Sequence, residues 1–333
     1  MTCAPAILTN MAFRQSAVWR EATTTICRDG ESPDTLGPLT QALRLLRQRS
    51  RFDVVVTMGP RPSLAYGLLC AVLGLPSRQI MTEIFLDPPR PASLGWRVKT
   101  GLFRWVARRS LGILTNSSAE VGLLARRFSL PETRLRFVEM YTTILEPAAG
   151  GENDGFVLSI GRTLRDLDTL AEAAREIQAP VLVVAGARDR IPAPLPANVQ
   201  VLKELPLAET RRLIGRAAVV AIPLLPSERS AGQVVLFEAM AMGKPVVATR
   251  AVGTRDYVRD GENGLLVEPG DARGLADAVK RLLENPEPTR QMSNQALADC
   301  FAKWMPNHHA RHKIAAIASL WRAAASSGDS NHA

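Results

Sequence analysis

Residues 226–271 read PSERSAGQVVLFEAMAMGKPVVATRAVGTRDYVRDGENGLLVEPGD, and the order of turns and apolar runs in this stretch decides the fold. Ser230, Ala231 and Gly232 break the preceding apolar run AVVAIPLL. Helical periodicity carries from Val234 to Met242, where Gly243-Lys244-Pro245 stops it and VVAT begins a strand. The first turn of such a helix offers free backbone N–H groups and the positive end of a dipole, a natural seat for phosphate. Glu238 lies further along the helix, beyond a phosphate at its start and within reach of a sugar hydroxyl. The combination suits a nucleotide sugar.

Outward from this stretch, strands and helices alternate. The second half reads as strands at 156–161, 181–186, 199–204, 218–224, 245–249 and 265–268, separated by helical patterns. The first half reads as strands at 52–59, 78–85, 112–117 and 134–140, with helices at 64–74 and 119–128. Strict alternation predicts an α/β protein with parallel sheets and ligands at the carboxyl ends of the strands. In the opening 50 residues, PAIL and ATTTIC compete as the first strand.

A chain of 333 residues exceeds one ordinary core and predicts two domains, 1–148 and 149–333, with the last helix able to return to the first. Composition places the join at the small-residue and turn-rich stretch 146–153. Residues 1–146 carry 19 Lys and Arg against 11 Asp and Glu, whereas the remainder carries 22 against 21, so the positive excess belongs to the first half. Nucleic acid is one partner for such charge, but no nucleic-acid motif accompanies it. Arginines interleaved with Trp and Phe over 96–109 suit an anionic membrane surface, as does a helix packed on a sheet with a solvated basic face. Cys3, Cys27, Cys70 and Cys300 lie far apart, which argues against a disulfide framework or a zinc site and for a reducing cytoplasm. The opening residues lack a basic segment ahead of a long apolar run, and no run is long enough to span a bilayer.

The stretch Glu238-Ala239-Met240-Ala241-Met242-Gly243-Lys244-Pro245, with Asp260-Gly261-Glu262-Asn263-Gly264 and Pro269-Gly270-Asp271 after it, resembles the donor-binding signature of retaining glycosyltransferases of the GT-B fold, especially the bacterial family 4. The resemblance implies two Rossmann-like doubly wound domains facing a central cleft. It implies transfer of a sugar from a nucleoside diphosphate to a glycan or lipid-linked acceptor hydroxyl, with retention and without a metal or other cofactor. Peripheral association with the inner face of the membrane would fit. It assigns the donor ribose to Glu238 and the diphosphate to Arg162, to Arg165 in place of the family's lysine, and to the helix start at Gly232, Gln233 and Val234. Two guanidinium groups at a strand's carboxyl end suit a pyrophosphate on physical grounds as well. Leu202, Lys203 and Leu205 match the segment whose backbone meets the base. The family's earlier glutamate position holds Ser230, which with Ala231 would meet the donor sugar through fewer acceptor sites than a carboxylate offers. That departure keeps open a non-catalytic glycosyltransferase-like subunit that binds nucleotide or a partner enzyme.

The first half offers less chemistry. Glu83 and Asp87 follow a strand and are the candidates to orient an acceptor hydroxyl or steady charge on the anomeric carbon. Asp87 before two prolines also suits an ordinary turn. A histidine common in this half of the family is missing, because His308, His309, His312 and His332 all lie near the end of the chain.

Overall fold

The computed structural model describes residues 4–28, 31–85, 93–147 and 153–326. The chain divides into two compact units: unit 1 comprises Met1–Glu139 and Pro306–Ala333, and unit 2 comprises Met140–Met305. The expected boundary at 148/149 lies outside the described residues.

Unit 1 begins with β1 (Ile7–Thr9), α1 (Ala17–Ala22), β2 (Thr23–Thr25), α2 (Pro38–Gln48) and β3 (Val54–Met58). It continues through α3 (Pro60–Val72), β4 (Gln79–Thr82), α4 (Leu94–Arg108), β5 (Gly112–Thr115), α5 (Ser118–Phe128) and β6 (Leu135–Phe137). All strands are parallel, in the order β2-β1-β3-β4-β5-β6. The two segments that compete in sequence as the first strand are both strands, paired with Ile7 opposite Thr23. Apolar β1 is buried, while the threonines of β2 form a half-exposed edge, where β-branched but polar residues are at home. Helix α3 starts four residues earlier than the apolar pattern suggests, because Pro60 and Pro62 fill its first turn, where a missing N–H costs nothing.

Unit 2 holds β7 (Val157–Ile160), α6 (Leu167–Ala174), β8 (Val181–Ala185), β9 (Val199–Lys203), α7 (Leu207–Arg216) and β10 (Val219–Ile222). After these come α8 (Gln233–Ala241), β11 (Val246–Thr249), β12 (Leu265–Val267), α9 (Ala272–Glu284) and α10 (Pro286–Lys303). Its parallel sheet runs β12-β11-β10-β7-β8-β9. Val157, Val219 and Val247 of neighbouring strands pack with Leu170, Leu275 and Val279 of the covering helices. Strands buried on both faces explain why they read as continuous apolar runs.

The last helix, α11 (Pro306–Ser326), returns to unit 1. The Leu320 methyls lie where a side chain on Gly112 of β5 would stand. Ser16 donates to Asn307 Oδ1 at 2.8 Å, and the His309 ring meets Phe13 edge-on at 5.7 Å.

Strand order reverses between β1 and β3 in unit 1 and between β7 and β10 in unit 2. In doubly wound sheets, ligands bind outside the carboxyl ends of the strands at such points.

Candidate functional site

The residues picked from sequence for the donor cluster at the carboxyl edge of the unit 2 sheet. After β7 the chain turns at Gly161, whose φ of 130° a side chain rarely adopts. The Arg165 guanidinium folds into the space that a Cβ on Gly161 would need. Its Nε donates to Ile160 O at 2.8 Å and its Nη1 to Thr163 O at 3.2 Å. No ion pair holds it among the described residues, and desolvation lowers its pKa to about 10, with Asp189 opposing the shift. It therefore stays charged near neutral pH, which makes it an attractor for an anion. The loop it belongs to is locked onto the one after β10, since Leu225 N donates to Leu164 O at 2.9 Å and Asp166 N to Pro223 O at 3.1 Å. Arg162 is solvent-exposed and ion-paired with Glu204 at 3.3 Å. Glu204 also accepts from Ala187 N at 2.7 Å, so the 202–205 segment and Arg162 meet at the ends of β8 and β9. Lys203 is exposed there, with Leu202 and Leu205 partly buried.

After β10 the chain reaches Ser230, Ala231 and Gly232. Ser230 is buried. Gly253, in the loop after β11, packs so closely on the Ala231 peptide that a Cβ would collide with its main chain. That contact fixes the approach to α8, and the short linker AVGT gave no sign of it in sequence. Gly232 is the N-cap of α8 at φ 85°, with the Ile222 and Leu224 side chains against it and no side-chain capping bond. No side chain of the N-cap competes for the first turn of α8. Gln233 is buried and Val234 exposed at this turn.

Glu238 is 4% exposed. Its Oε1 accepts from Thr143 Oγ1 at 2.8 Å and from Arg211 Nε at 3.0 Å, and Arg211 Nη2 reaches Thr143 Oγ1 at 3.0 Å. Oε2 makes no hydrogen bond among the described residues. Burying a carboxylate is costly without such a partner. Arg211 and Thr143, which sequence reasoning missed, thus hold one oxygen and leave the other. Behind α8, Phe237, Tyr257 and Trp304 meet edge-to-face with centroids 4.9 to 5.6 Å apart, and the Cys300 thiol donates to Phe237 O at 3.8 Å. The later part of the signature is structural. Asn263 Nδ2 donates to Tyr257 O and to Asp299 Oδ2, and Asp271 caps α9 by accepting from Gly274 N at 2.8 Å.

The acceptor candidates belong to unit 1. Glu83 follows β4 in the left-handed region at φ 55°, where a non-glycine residue is strained. Its carboxylate lies 3.9 Å from the ammonium of Lys313, which is 1% exposed on α11 and also touches Met11 Sδ at 3.7 Å. Desolvation pushes the Lys313 pKa down, with Glu83 opposing. Asp87 lies outside the described residues. The return of α11 also brings a histidine into this unit. His309 is buried, its Nδ1 bonded to Glu139 O, and burial with the nearby Lys313 charge lowers its pKa to about 3. Only the three-dimensional course of the chain supplies it. Among the described residues, no three His, Cys, Asp or Glu side chains are grouped to hold a metal ion.

Residues 155–285 match the family model described as glycosyl transferases group 1. They are a glycosyl transferases group 1 domain. The span contains every donor candidate named above and most of unit 2. The D-inositol 3-phosphate glycosyltransferase of Nocardioides sp. is 30% identical over 236 residues, 66% of this chain and 47% of that protein. The lipopolysaccharide core biosynthesis glycosyltransferase LpsE of Rhizobium meliloti is 38% identical over 97 residues, 26% of this chain and 28% of its own. The chain thus spans about half the length of the first of these relatives, and less of the second. Among solved structures, Anabaena HepE in complex with UDP superposes with a TM-score of 0.68 at 16% identity, covering 97% of this chain and all of the other. Sucrose-phosphate synthase of Thermosynechococcus elongatus gives 0.65 at 18% identity over 87% of this chain and 79% of that one. At such identities the likeness is one of fold, and the fold class of the glycosyltransferase domain and its companion unit is GT-B.

Proposed function

We propose that the protein is a glycosyltransferase that moves a sugar from a nucleoside diphosphate to an acceptor hydroxyl with retention at the anomeric carbon. The observation that carries this reading is the pairing of an uncapped helix start with a buried carboxylate that has one oxygen held and one open. In this reading Glu238 Oε2 accepts from the ribose hydroxyls. The N–H groups of Gln233 and Val234, with Gly232 admitting close approach, meet the diphosphate beside Arg162 and Arg165. The backbone of Leu202, Lys203 and Leu205 reads the base, and Ser230 and Ala231 border the donor sugar. HepE has been solved with UDP and with UDP-glucose, which supports a nucleotide sugar as donor.

The chemistry then follows from charge. As the anomeric C–O bond breaks, negative charge grows on the departing phosphate, and two guanidinium groups and a helix dipole stabilise it without a metal. A phosphate oxygen on the same face takes the acceptor proton as the new C–O bond forms. Glu83 and Asp87 orient the acceptor. Glu238→Ala should weaken nucleoside diphosphate binding by about 1.5–3 kcal/mol, roughly ten- to hundredfold, in calorimetry. Unchanged affinity would remove Glu238 from the site. Tight binding without turnover over a broad panel of donors and acceptors would make the protein a nucleotide-binding subunit instead.

The acceptor in this reading is lipid-linked. Leu94, Val98, Leu102 and Trp105 of α4 fall on one helical face and are 73%, 53%, 37% and 45% exposed. Arg97, Arg104 and Arg108 flank them along one side and Lys99 along the other. Val106 is buried with Phe103 against the core. The outer apolar stripe therefore has no part in packing the core, and apolar residues rimmed by arginine suit an anionic interface. No helix among the described residues is long and apolar enough to cross a membrane. Cosedimentation should show binding to vesicles rich in phosphatidylglycerol, weak binding to phosphatidylcholine, and at least tenfold loss in Val98→Asp/Trp105→Asp. Equal recovery with both lipids, or no effect of the double substitution, would remove the membrane from the reading.

A further inference from the structure

At the amino edge of the unit 2 sheet, opposite the donor residues, lies an open cavity of about 260 Å³. Ala217 and Ala218 lead into β10 beside it, and Gly243-Lys244-Pro245 leads into β11. The start of α10 forms another wall through Arg290, Ser293 and Asn294, and Asn153 completes the polar lining. Two side chains here are built in and left without partners. Lys244 is 8% exposed, and its ammonium has no hydrogen bond or ion pair among the described residues. Ser293 is 6% exposed, and its Oγ has no hydrogen bond. Nearby carboxylates are already committed, Asp154 to Arg216 and Glu287 to Arg290 at 2.6 Å. The local balance therefore leaves one positive charge, that of Lys244. Desolvation holds its pKa below the usual lysine value, with Asp154 opposing.

A buried ammonium without a counter-ion is costly, and a hydroxyl lining the same cavity without a partner adds to that cost. Both are relieved by an oxyanion that accepts from them. We propose that this cavity is a second ligand site of unit 2, for a small phosphomonoester whose phosphate sits between Lys244 and Ser293. Lysine serves phosphate as a point charge, and the Ser293 hydroxyl donates beside it. The volume approaches the range of about 300–1,000 Å³ found for small-molecule sites, so there is room for a polar body beyond the phosphate. Asn153 and Asn294 supply donors and acceptors for hydroxyls on that body. The site is independent of the donor reading, since it lies at the other edge of the sheet and shares no residue with it.

The test uses the full chain carrying Arg162→Ala, to weaken phosphate binding at the donor edge. Calorimetry is run with glycerol 3-phosphate, inorganic phosphate and glycerol. Glycerol 3-phosphate should bind, inorganic phosphate more weakly, and glycerol not at all. Adding Lys244→Met should cost at least tenfold and Ser293→Ala several-fold, with the melting temperature kept. Inorganic phosphate binding as tightly as the ester would overturn the phosphomonoester assignment in favour of a simple phosphate site. Undiminished affinity in a folded Lys244→Met protein would overturn the site itself, as would no binding of either phosphate at millimolar concentration. Should Lys244→Met fail to fold, amine labelling of the protein with native Lys244 decides. Glycerol 3-phosphate must protect Lys244 from modification while other lysines react as before, and lack of protection sinks the proposal.

Discussion

In unit 1 the crevice between β1 and β3 is bridged by one asparagine, whereas in unit 2 the crevice between β7 and β10 is bordered by two arginines and an uncapped helix. Asn10 Nδ2 donates to Gln41 Oε1 at 2.6 Å and to Met58 O at 3.1 Å, while its Oδ1 accepts from Met58 N at 2.7 Å. Both of its donor hydrogens and its oxygen are engaged inside the protein. At the matching place in unit 2, Gly161 and Gly232 withhold side chains, Arg165 has no ion pair among the described residues, and the N-cap of α8 makes no side-chain capping bond. The same doubly wound layout thus offers a switch point twice. What separates them is whether the polar groups there satisfy one another or wait for a ligand.

Acidification should break the comparison most strongly, because the buried histidine it reaches first belongs to unit 1. His309 is neutral in the folded state down to about pH 3, whereas an unfolded histidine takes a proton near 6.5. Below pH 6.5 the unfolded chain binds more protons, so stability falls as pH drops through this window, by up to several kcal/mol. The groups around the ring are Lys313 and His312, which disfavour its protonation, and the Glu139 carbonyl, which favours it less than burial opposes it. Urea midpoints measured from pH 7 to 4 should drop steeply in the wild type and much less in His309→Gln. Equal slopes would mean that the ring is reached by solvent.

Next in size is the loss of the asparagine bridge. Asn10→Ala leaves the Met58 N–H and the Gln41 Oε1 acceptor without their partner in a buried place, at a cost of about 3 kcal/mol. The melting temperature should fall by several degrees while nucleoside diphosphate affinity is unchanged. A parallel loss of affinity would show that the unit 1 crevice takes part in holding the donor.

Arg162→Ala sharpens the contrast from the other side, with the smallest effect. Its exposed pair with Glu204 adds little to stability, so melting should be almost unaltered. Affinity for a nucleoside diphosphate should drop about tenfold, and affinity for the free nucleoside should not, since a guanidinium addresses the phosphate charge. An equal loss for both ligands would point to a disturbed base segment at Glu204.

What could be read in the sequence followed the same divide. The unit 2 loops are local: a strand, a glycine, arginines, then a second glycine ahead of a helix. The glycines are demanded by backbone geometry and the arginines by charge, each at its own position, so a linear pattern suffices. The partners of Glu238 are not local. Thr143 stands 95 residues before it and Arg211 27 before it, and neither spacing carries a periodic signal. The chemistry of unit 1 was obscure for a similar reason. Lys313 and His309 enter it from the far end of the chain, and a count of histidines along the sequence placed them elsewhere. The β1/β2 pair was ambiguous because an edge strand of three threonines carries no apolar signal, although it pairs as well as its buried neighbour.

The return of α11 sets an order on how the molecule is made. A ribosome delivers residues 140–305, all that unit 2 needs, before it delivers the helix that completes unit 1. Until then β5 lacks Leu320 over Gly112, the Phe13 ring lacks its histidine, and the pocket of Trp19 and Met11 lacks Lys313. The half that is synthesised first therefore closes last, and until it closes its apolar surface stays open to other chains.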